Sequence, residues 1–139
     1  MRIAYLGPRG TFTEDALRAA IGDDEVVTVP TATVYDAIIG VREGTADRAL
    51  VPFENSIEGS VRGTLDTLAF EAEAVTIVGE HDYAVRAHLI GRDAVGLEEI
   101  EAVLSHQQPL AQCARFLREQ LPGVETRSVS STAAEVRRG

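Results

Sequence analysis

The sequence contains no lysine, since all 13 basic residues of the 139-residue chain are arginines. This absence excludes chemistry that needs a lysine ammonium group, such as Schiff-base catalysis, pyridoxal-phosphate anchoring or a phosphate-loop lysine. The chain also carries 22 acidic residues and a formal net charge of −9. A nucleic-acid partner would require a basic patch, so this acidic balance argues against one.

Cysteine and long apolar runs are equally scarce. The single cysteine, Cys113, excludes an internal disulfide. No apolar run approaches the ~20 residues of a membrane span, and residues 1–6 lead into Gly7 and Pro8 without a stretch of signal-peptide length. These features predict a cytoplasmic protein with no membrane partner.

The acidic, lysine-free composition has two explanations that the sequence leaves open. Exposed carboxylates help a protein to stay soluble in high salt, which predicts a halophilic host. A GC-rich genome that favours arginine codons would produce the same lack of lysine. Both explanations are compatible with one chain.

Strand and helix signals alternate along the first half of the chain. Strands are predicted at residues 3–6, at 26–29 up to Pro30, and at 48–51, because short apolar runs end there in Gly or Pro. The first helix is predicted to begin at Thr11, which has capping-box spacing to Glu14, or at Thr13, and to end at Gly22. A second is predicted from Thr33 to Gly44 and a third from Val61. This alternation predicts an α/β fold with mostly parallel sheets and helices on both faces.

The pattern changes near Glu73. An extended, alternating stretch is predicted over residues 75–89, followed by a strand at 103–104, one helix from Pro109 to Leu121, and a strand at 124–129. A last helix, capped by Ser131 or Thr132, has barely begun when the sequence reaches Gly139. We therefore predict two lobes, residues 1–73 and 74–139, with the second lobe incomplete.

Three polar segments each follow a strand or open a helix. They are residues 7–13, 52–59 and 105–112, and the predicted helix at Ser131 and Thr132 provides a fourth helix start. Ligands of open α/β sheets bind beyond the carboxyl ends of strands, where helix N-termini attract anions. Each segment alone is explained as well by ordinary turn and capping chemistry. Together they predict a small-anion site in a shared cleft.

These segments resemble the motifs of prephenate dehydratases, in the same order and at the same spacing along the chain. The matching stretches are residues 5–14 (YLGPRGTFTE), 51–61 (VPFENSIEGSV), 105–113 (SHQQPLAQC) and 131–133 (STA). Thr64, Leu65, Asp66 and Leu68 continue the second of these motifs. One departure is Gln107, where the family usually has proline. The resemblance implies a two-lobed fold similar to type II periplasmic binding proteins, with the active site between the lobes.

The same resemblance implies that parts of the family pattern lie outside this sequence. Family members carry a Thr-Arg-Phe motif, whose threonine is assigned the role of helping the hydroxyl group to leave, and usually a phenylalanine-sensing ACT domain. Neither follows the Ser131-Thr132 segment here. We therefore expect the 139-residue chain to be a fragment with little or no activity by itself.

The function implied by the resemblance is that of a lyase of phenylalanine biosynthesis, which converts prephenate to phenylpyruvate. By carry-over from the motifs, Asn55, Ser105, Gln112 and Glu54 are expected at the catalytic site. Thr11, Ser131 and Thr132 are expected to bind substrate. For Glu54, a solvated loop carboxylate is an equally good interpretation.

Other chemistry receives little support from the sequence. Ser105 and His106 are adjacent at a strand end and therefore point to opposite faces, which argues against a direct Ser-His relay. His81 and His88 are too scattered to suggest a metal site, and Cys113 lies on an apolar helix face, where it fits a core residue. No metal and no organic cofactor is expected.

Two alternatives remain beside prephenate dehydratase. Arogenate dehydratase shares the fold and the motifs. A non-catalytic anion-binding module of the same architecture would suit a chain that naturally ends at Gly139. In either case we expect a homo-oligomer, such as a dimer, because an unfinished lobe exposes sheet edge and apolar surface.

Overall fold

The computed structural model of the protein describes residues 1–56 and 59–129. Within these ranges the chain forms two compact units, Met1–Ala84 and a second unit that begins at Val85. The lobe boundary predicted after residue 73 stays a prediction. No helix in the described ranges combines the length and apolar character that crossing a membrane would need.

The first unit is built on a three-stranded parallel sheet. Its strands are β1 (Arg2–Leu6), β2 (Val27–Thr31) and β3 (Arg48–Leu50), in the order β2-β1-β3. The connections contain helices α1 (Phe12–Ile21) and α2 (Val34–Arg42). Helical crossovers are what parallel neighbours require, so the predicted α/β fold is confirmed.

The central strand β1 separates two layers of core. Ile3 and Tyr5 pack with Leu17 of α1 on one face. Ala4 packs with Ala37 of α2 on the other face. Successive side chains of a strand point to opposite faces, which is why one strand can bury residues against both helices.

Both helices begin and end where the sequence predicts. Thr33 is the N-cap of α2, and its hydroxyl oxygen accepts the Asp36 N–H at 3.0 Å. Helix α1 ends at Gly22, which has a φ of 58°. Threonine at an N-cap satisfies a first-turn amide, and glycine after the last turn tolerates a positive φ.

The prediction that strand β2 ends at Pro30 is wrong, since the strand continues to Thr31 with Pro30 opposite Tyr5. Proline is tolerated here because β2 is an edge strand of this sheet, where a missing backbone N–H costs no ladder hydrogen bond.

After β3 the chain forms a short antiparallel hairpin that the sequence did not predict. Its strands are β4 (Glu54–Asn55) and β5 (Gly59–Ser60). They are too short to show an alternating pattern. The helix predicted from Val61 is confirmed as α3 (Arg62–Asp66), which continues into a π-helical turn at Thr67–Glu71.

The extended, strand-like stretch predicted over residues 75–89 is not a strand. The structure assigns regular structure to none of these residues, and Ile77 and Val78 are 66% and 75% exposed. Alternating apolar residues favour a strand, but a strand also needs a hydrogen-bonded neighbour. Within the described part of the chain no strand pairs with this stretch.

The second unit contains a parallel pair, β6 (Ala102–Ser105) and β7 (Glu125–Ser128), preceded by a 3₁₀ turn at Leu97–Glu99. The strands predicted at 103–104 and 124–129 are thereby confirmed. Between them the structure has two helices, α4 (Gln107–Gln112) and α5 (Ala114–Gln120).

The prediction of one continuous helix from Pro109 is wrong in two respects. Helix α4 begins two residues earlier, with His106 as its N-cap: the His106 Nδ1 accepts the Gln108 N–H at 3.5 Å. The helix then breaks at Cys113, whose φ and ψ are −94° and 5°. The uninterrupted apolar spacing of the sequence carries no signal of this local change in backbone angles.

Candidate functional site

The first polar segment forms a loop, residues 7–11, between the carboxyl end of β1 and helix α1; we call it the first loop. Thr11 is the N-cap of α1, and its hydroxyl oxygen accepts the Glu14 N–H at 3.4 Å. At the other end of the loop, the Gly7 N–H donates to the Thr31 carbonyl oxygen at 2.8 Å. The loop is therefore held to β2 at one end and to α1 at the other.

Glu14 completes this arrangement in an unusual way. Its Oε2 atom accepts the Gly10 N–H at 2.6 Å, and its Oε1 atom accepts from Arg18 Nη2 at 3.0 Å. In an ordinary capping box the carboxylate would return to the N–H of the cap residue, Thr11. One of the two hydrogen bonds of the predicted capping box, from the Glu14 N–H to the Thr11 hydroxyl, is therefore present. The second is replaced, because the Glu14 carboxylate accepts from the Gly10 N–H, one residue before Thr11.

Gly10 can take this position because it has a φ of 81°, which residues with a Cβ atom rarely adopt. The Glu14 side chain is largely buried: the residue is 6% exposed. The Arg18 side chain, in contrast, is 71% exposed. The ion pair therefore joins one carboxylate inside the fold to one guanidinium at its surface.

The electrostatics of this corner follow from those contacts. The hydrogen bond from Gly10, and after it the one from Arg18, lowers the pKa of Glu14 below its ordinary value. Burial, followed by the negative charge of Glu14, raises the pKa of Tyr5. The Tyr5 hydroxyl is buried and has no hydrogen-bond partner among the described residues. Glu14 is therefore ionised, and Tyr5 neutral, at neutral pH.

A cavity of about 380 Å³, open to solvent and bordered by the exposed residues Pro8 and Arg9, lies at the carboxyl ends of β1 and β2. Its lining combines the first loop with the end of β2: Gly7, Pro8, Arg9, Pro30, Thr31 and Ala32. Parallel α/β sheets bind ligands at this edge. Only the Arg9 side chain in this lining carries a charge, and a guanidinium suits an anionic ligand.

Gly7 brings the loop close to β2. A Cβ atom at Gly7 would lie 3.0 Å from Pro30 Cβ and 3.2 Å from the Thr31 carbonyl oxygen. A Cβ atom would therefore make tighter contacts here than side chains usually make, and the Gly7 backbone forms part of the cavity wall.

The second polar segment leaves β3 at the same edge of the sheet. The Thr64 hydroxyl donates to the Pro52 carbonyl oxygen at 2.7 Å, and Thr64 is fully buried. The Val61 N–H donates to the Phe53 carbonyl oxygen at 2.8 Å. These two bonds attach the start of α3 to the start of the motif.

Asn55 and Glu54 follow in strand β4. Asn55 is half-buried and lies opposite Gly59, whereas Glu54 is exposed and lies opposite Ser60. Neighbouring residues of a strand point to opposite sides. A ligand that contacts the Asn55 side chain would therefore not contact that of Glu54 on the same face.

The third polar segment belongs to the second unit. Ser105 is the last residue of β6, pairs with Ser128 of β7 and accepts the Val129 N–H at its carbonyl oxygen at 2.9 Å. Gln112 is the last residue of α4, and both Ser105 and Gln112 are half-buried. One strand-turn-helix segment, with His106 as its cap, therefore positions both residues.

The structure thus distributes the predicted site residues over the two units. Thr11, Glu54 and Asn55 lie in the first unit, and Ser105 and Gln112 in the second. Ser131 and Thr132 lie outside the described residues. Across residues 1–56 and 59–129, no three His, Cys, Asp or Glu side chains are grouped so that they could hold a metal ion.

Three residues that shape the first unit's site were not among the predicted site residues. Glu14 was recognised only as a capping residue, and its burial could not be derived from spacing alone. Thr64 lies within a matching motif, which was a usable signal. No signal in the sequence pointed to Thr31. Its hydroxyl lies 3.0 Å from both the Tyr5 and the Thr33 carbonyl oxygens. These contacts depend on the register of β1 and β2.

Comparison with known proteins agrees with this arrangement. The family model described as prephenate dehydratase matches residues 3–138. The chain is 46% identical over 135 residues to the prephenate dehydratase of Amycolatopsis methanolica, covering 96% of this chain and 42% of that protein.

Solved structures show the same similarity. The prephenate dehydratase of Arthrobacter aurescens, in complex with L-Phe, is 35% identical with a TM-score of 0.76, covering 99% of this chain and 45% of that chain. GqqA, described as a novel type of quorum quenching acylase, is 29% identical with a TM-score of 0.75, covering 96% and 47%. The periplasmic-binding-protein-like α/β fold expected from the sequence is confirmed by this similarity to prephenate dehydratase structures.

These relatives are longer than this chain, which spans less than half the length of each. The family model nevertheless matches almost every residue present, and all four motifs lie within the matched range. The chain belongs to the prephenate dehydratase family.

Proposed function

We propose that these residues form the N-terminal part of an enzyme that converts prephenate to phenylpyruvate, carbon dioxide and water. The observation that carries this proposal is the family match over residues 3–138. The first loop, which the buried Glu14 anchors at Gly10, lies beside a cavity at the sheet edge where α/β proteins bind ligands, and this supports the proposal.

The reaction places modest demands on the protein. The bond between the ring and its carboxylate breaks, and its electron pair moves into the ring as carbon dioxide leaves. The bond between the opposite ring carbon and its hydroxyl group breaks at the same time, and the departing oxygen takes a proton to become water. Aromatisation drives both changes, so the protein must chiefly orient the substrate and supply that proton.

The residues of this chain would hold the substrate rather than break its bonds. We propose that Asn55, Ser105 and Gln112 donate hydrogen bonds to the substrate, and that Thr11, with Ser131 and Thr132, contributes to binding. Glu54 is the weakest of the proposed residues, because its side chain is exposed. The proton donor would be the threonine of the family's Thr-Arg-Phe motif.

The decisive experiment expresses the complete reading frame that contains these residues and measures phenylpyruvate formed from prephenate. Asn55→Ala should lower kcat/KM by roughly tenfold or more, because a lost substrate hydrogen bond is worth about 1–3 kcal/mol. Ser60→Ala, at an exposed position in the other strand of the same hairpin, is the matched control. Equal losses in the two variants would show that the hairpin, and not Asn55, is what matters.

Three further outcomes separate this function from its alternatives. Arogenate turned over in preference to prephenate would identify an arogenate dehydratase. Binding of phenylpyruvate without turnover by the complete protein would favour the anion-binding module. Because GqqA is described as a quorum quenching acylase, hydrolysis of an acylated quorum-sensing signal is the third assay, and activity there alone would refute the dehydratase proposal.

For the 139-residue chain by itself we propose little or no activity, since the proton donor is expected elsewhere. Turnover by this chain equal to that of the complete protein would contradict the role assigned to that threonine. We further propose a cytoplasmic homo-oligomer in a halophilic host. Sedimentation at several salt concentrations would test both the assembly and its dependence on salt.

A further inference from the structure

The first loop is fixed at its two ends by different means. The Gly7 N–H donates to the Thr31 carbonyl oxygen at 2.8 Å, so one end is attached to the backbone of strand β2. The Gly10 N–H donates to Glu14 Oε2 at 2.6 Å, so the other end is attached to a side chain of helix α1. Pro8 and Arg9, which line the cavity, lie between these two attachments.

We propose that Glu14 is a positioning residue for substrate binding, which holds the Pro8-Arg9 wall of the cavity in place through the Gly10 amide. The inference rests on the proposed function, because it assigns this cavity to part of the prephenate site. Glu14 would not touch the substrate, since it is absent from the cavity lining.

Burial makes this attachment strong. Glu14 is only 6% exposed, so water competes little for its carboxylate. A hydrogen bond to an ionised acceptor is about twice as strong as a neutral one. Removing the carboxylate would leave the Gly10 amide without its acceptor, and glycine, which has no Cβ atom, can adopt many backbone conformations besides its present φ of 81°. The loop would then have more than one conformation available.

The charge of Glu14 is also compatible with an anionic substrate. Arg18 binds the second carboxylate oxygen at 3.0 Å. The carboxylate is thus engaged on both oxygens and would repel a nearby dianion less than a free carboxylate would. Arg9, in the cavity wall, carries a positive charge, which would attract an anionic ligand in the cavity.

The experiment uses the protein expressed from its complete reading frame and compares Glu14→Ala, Glu14→Gln and Asp15→Asn. Asp15 is exposed in the same turn of α1, so Asp15→Asn removes the same charge from the same helix end. In Glu14→Ala the KM for prephenate should rise roughly tenfold, with kcat within about twofold of the wild type. Glu14→Gln should lie between, because its amide oxygen can still accept the Gly10 N–H.

The split between KM and kcat distinguishes positioning from a merely structural role. If Glu14→Ala only unfolded part of the protein, the apparent kcat would fall while the KM of the remaining enzyme stayed the same. That result would overturn the inference, as would an equal rise of KM in Asp15→Asn. An active wild type with an unchanged KM in Glu14→Ala refutes the inference alone, whereas an inactive wild type refutes the proposed function and the inference together.

Discussion

The sheet around β1 and the β6–β7 pair differ in how much apolar surface they bury. Among the described residues ten hydrophobic side chains are buried, and nine of them belong to the first unit. Leu121 is the tenth. In the second unit all four residues of β7 are exposed, and Leu104 of β6 is 47% exposed. Burial is the main source of stability, so most of the chain's stability should come from the first unit.

The largest test of this comparison is Leu17→Ala. Leu17 is 1% exposed and packs against Ile3 and Tyr5 of the central strand. Truncating a buried leucine leaves a cavity and typically costs about 2–5 kcal/mol. Urea unfolding followed by circular dichroism should show a loss of this size. Leu104→Ala in β6 is the matched control and should cost about 1 kcal/mol or less; equal losses would end the distinction between the two regions.

A second test concerns space around the first loop. Gly7→Ala places a Cβ atom 3.0 Å from Pro30 Cβ and 3.2 Å from the Thr31 carbonyl oxygen, so the end of β2 must give way by a few tenths of an ångström. Overpacking of this kind costs about 1–3 kcal/mol. Gly79→Ala, where a Cβ atom would meet nothing within 4 Å, should leave the thermal midpoint unchanged or slightly raised. If Gly79→Ala lowered the thermal midpoint, residues 75–89 would be packed more tightly than the structure shows.

A third test removes one hydroxyl from each region. Thr64→Val leaves the Pro52 carbonyl oxygen without its 2.7 Å donor at a fully buried position, at a cost of about 1–3 kcal/mol. Thr126 is exposed in β7, and valine suits a strand at least as well as threonine. Thr126→Val should therefore be neutral in denaturant unfolding. A neutral Thr64→Val would show that the motif at Pro52 is held without this bond.

Local signals predicted the first unit well because its helices are bounded by residues that favour helix starts and helix ends. Thr11 and Thr33 before helices, and Gly22 and Gly44 after them, mark the boundaries that the structure shows. The motifs likewise located the first loop and the segment after β3. These features depend on a few neighbouring residues, which is the information that a sequence pattern contains.

Features that depend on distant partners were not predictable in this way. The stretch at 75–89 has the alternation of a strand, but pairing is a property of two segments. Glu14 has capping-box spacing, yet the hydrogen bond from the Gly10 N–H to its carboxylate depends on how the first loop turns after β1. The break at Cys113 is a change of backbone angles within a continuous apolar pattern. Whether Asn55, Ser105 and Gln112 share one ligand stays a prediction, because they lie in different units.

The smallest expected effect is a difference in acid stability between two glutamates, one in each region. The pKa of Glu14 is lowered first by the Gly10 amide, and that of Glu125 by its hydrogen bond with Arg127. A carboxyl whose pKa is lower in the folded state stabilises the protein above its unfolded pKa. That contribution is lost as the pH falls through the folded pKa, below the ordinary value of 4.5. Glu14→Gln should therefore flatten the loss of stability between neutral pH and about pH 3.

Glu125→Gln should change that slope less, although the Glu125–Arg127 ion pair, at 2.8 Å, is shorter than the 3.0 Å pair of Glu14 and Arg18. Both side chains of this pair are more than half exposed, so water and salt screen their attraction. Urea midpoints measured across this pH range, at low and at high salt, compare the two variants directly. The Glu14 effect should persist at high salt, because its carboxylate is buried against a backbone amide. If salt abolished both effects equally, Glu14 would behave as a surface charge, and the contrast between the two regions would rest on apolar burial alone.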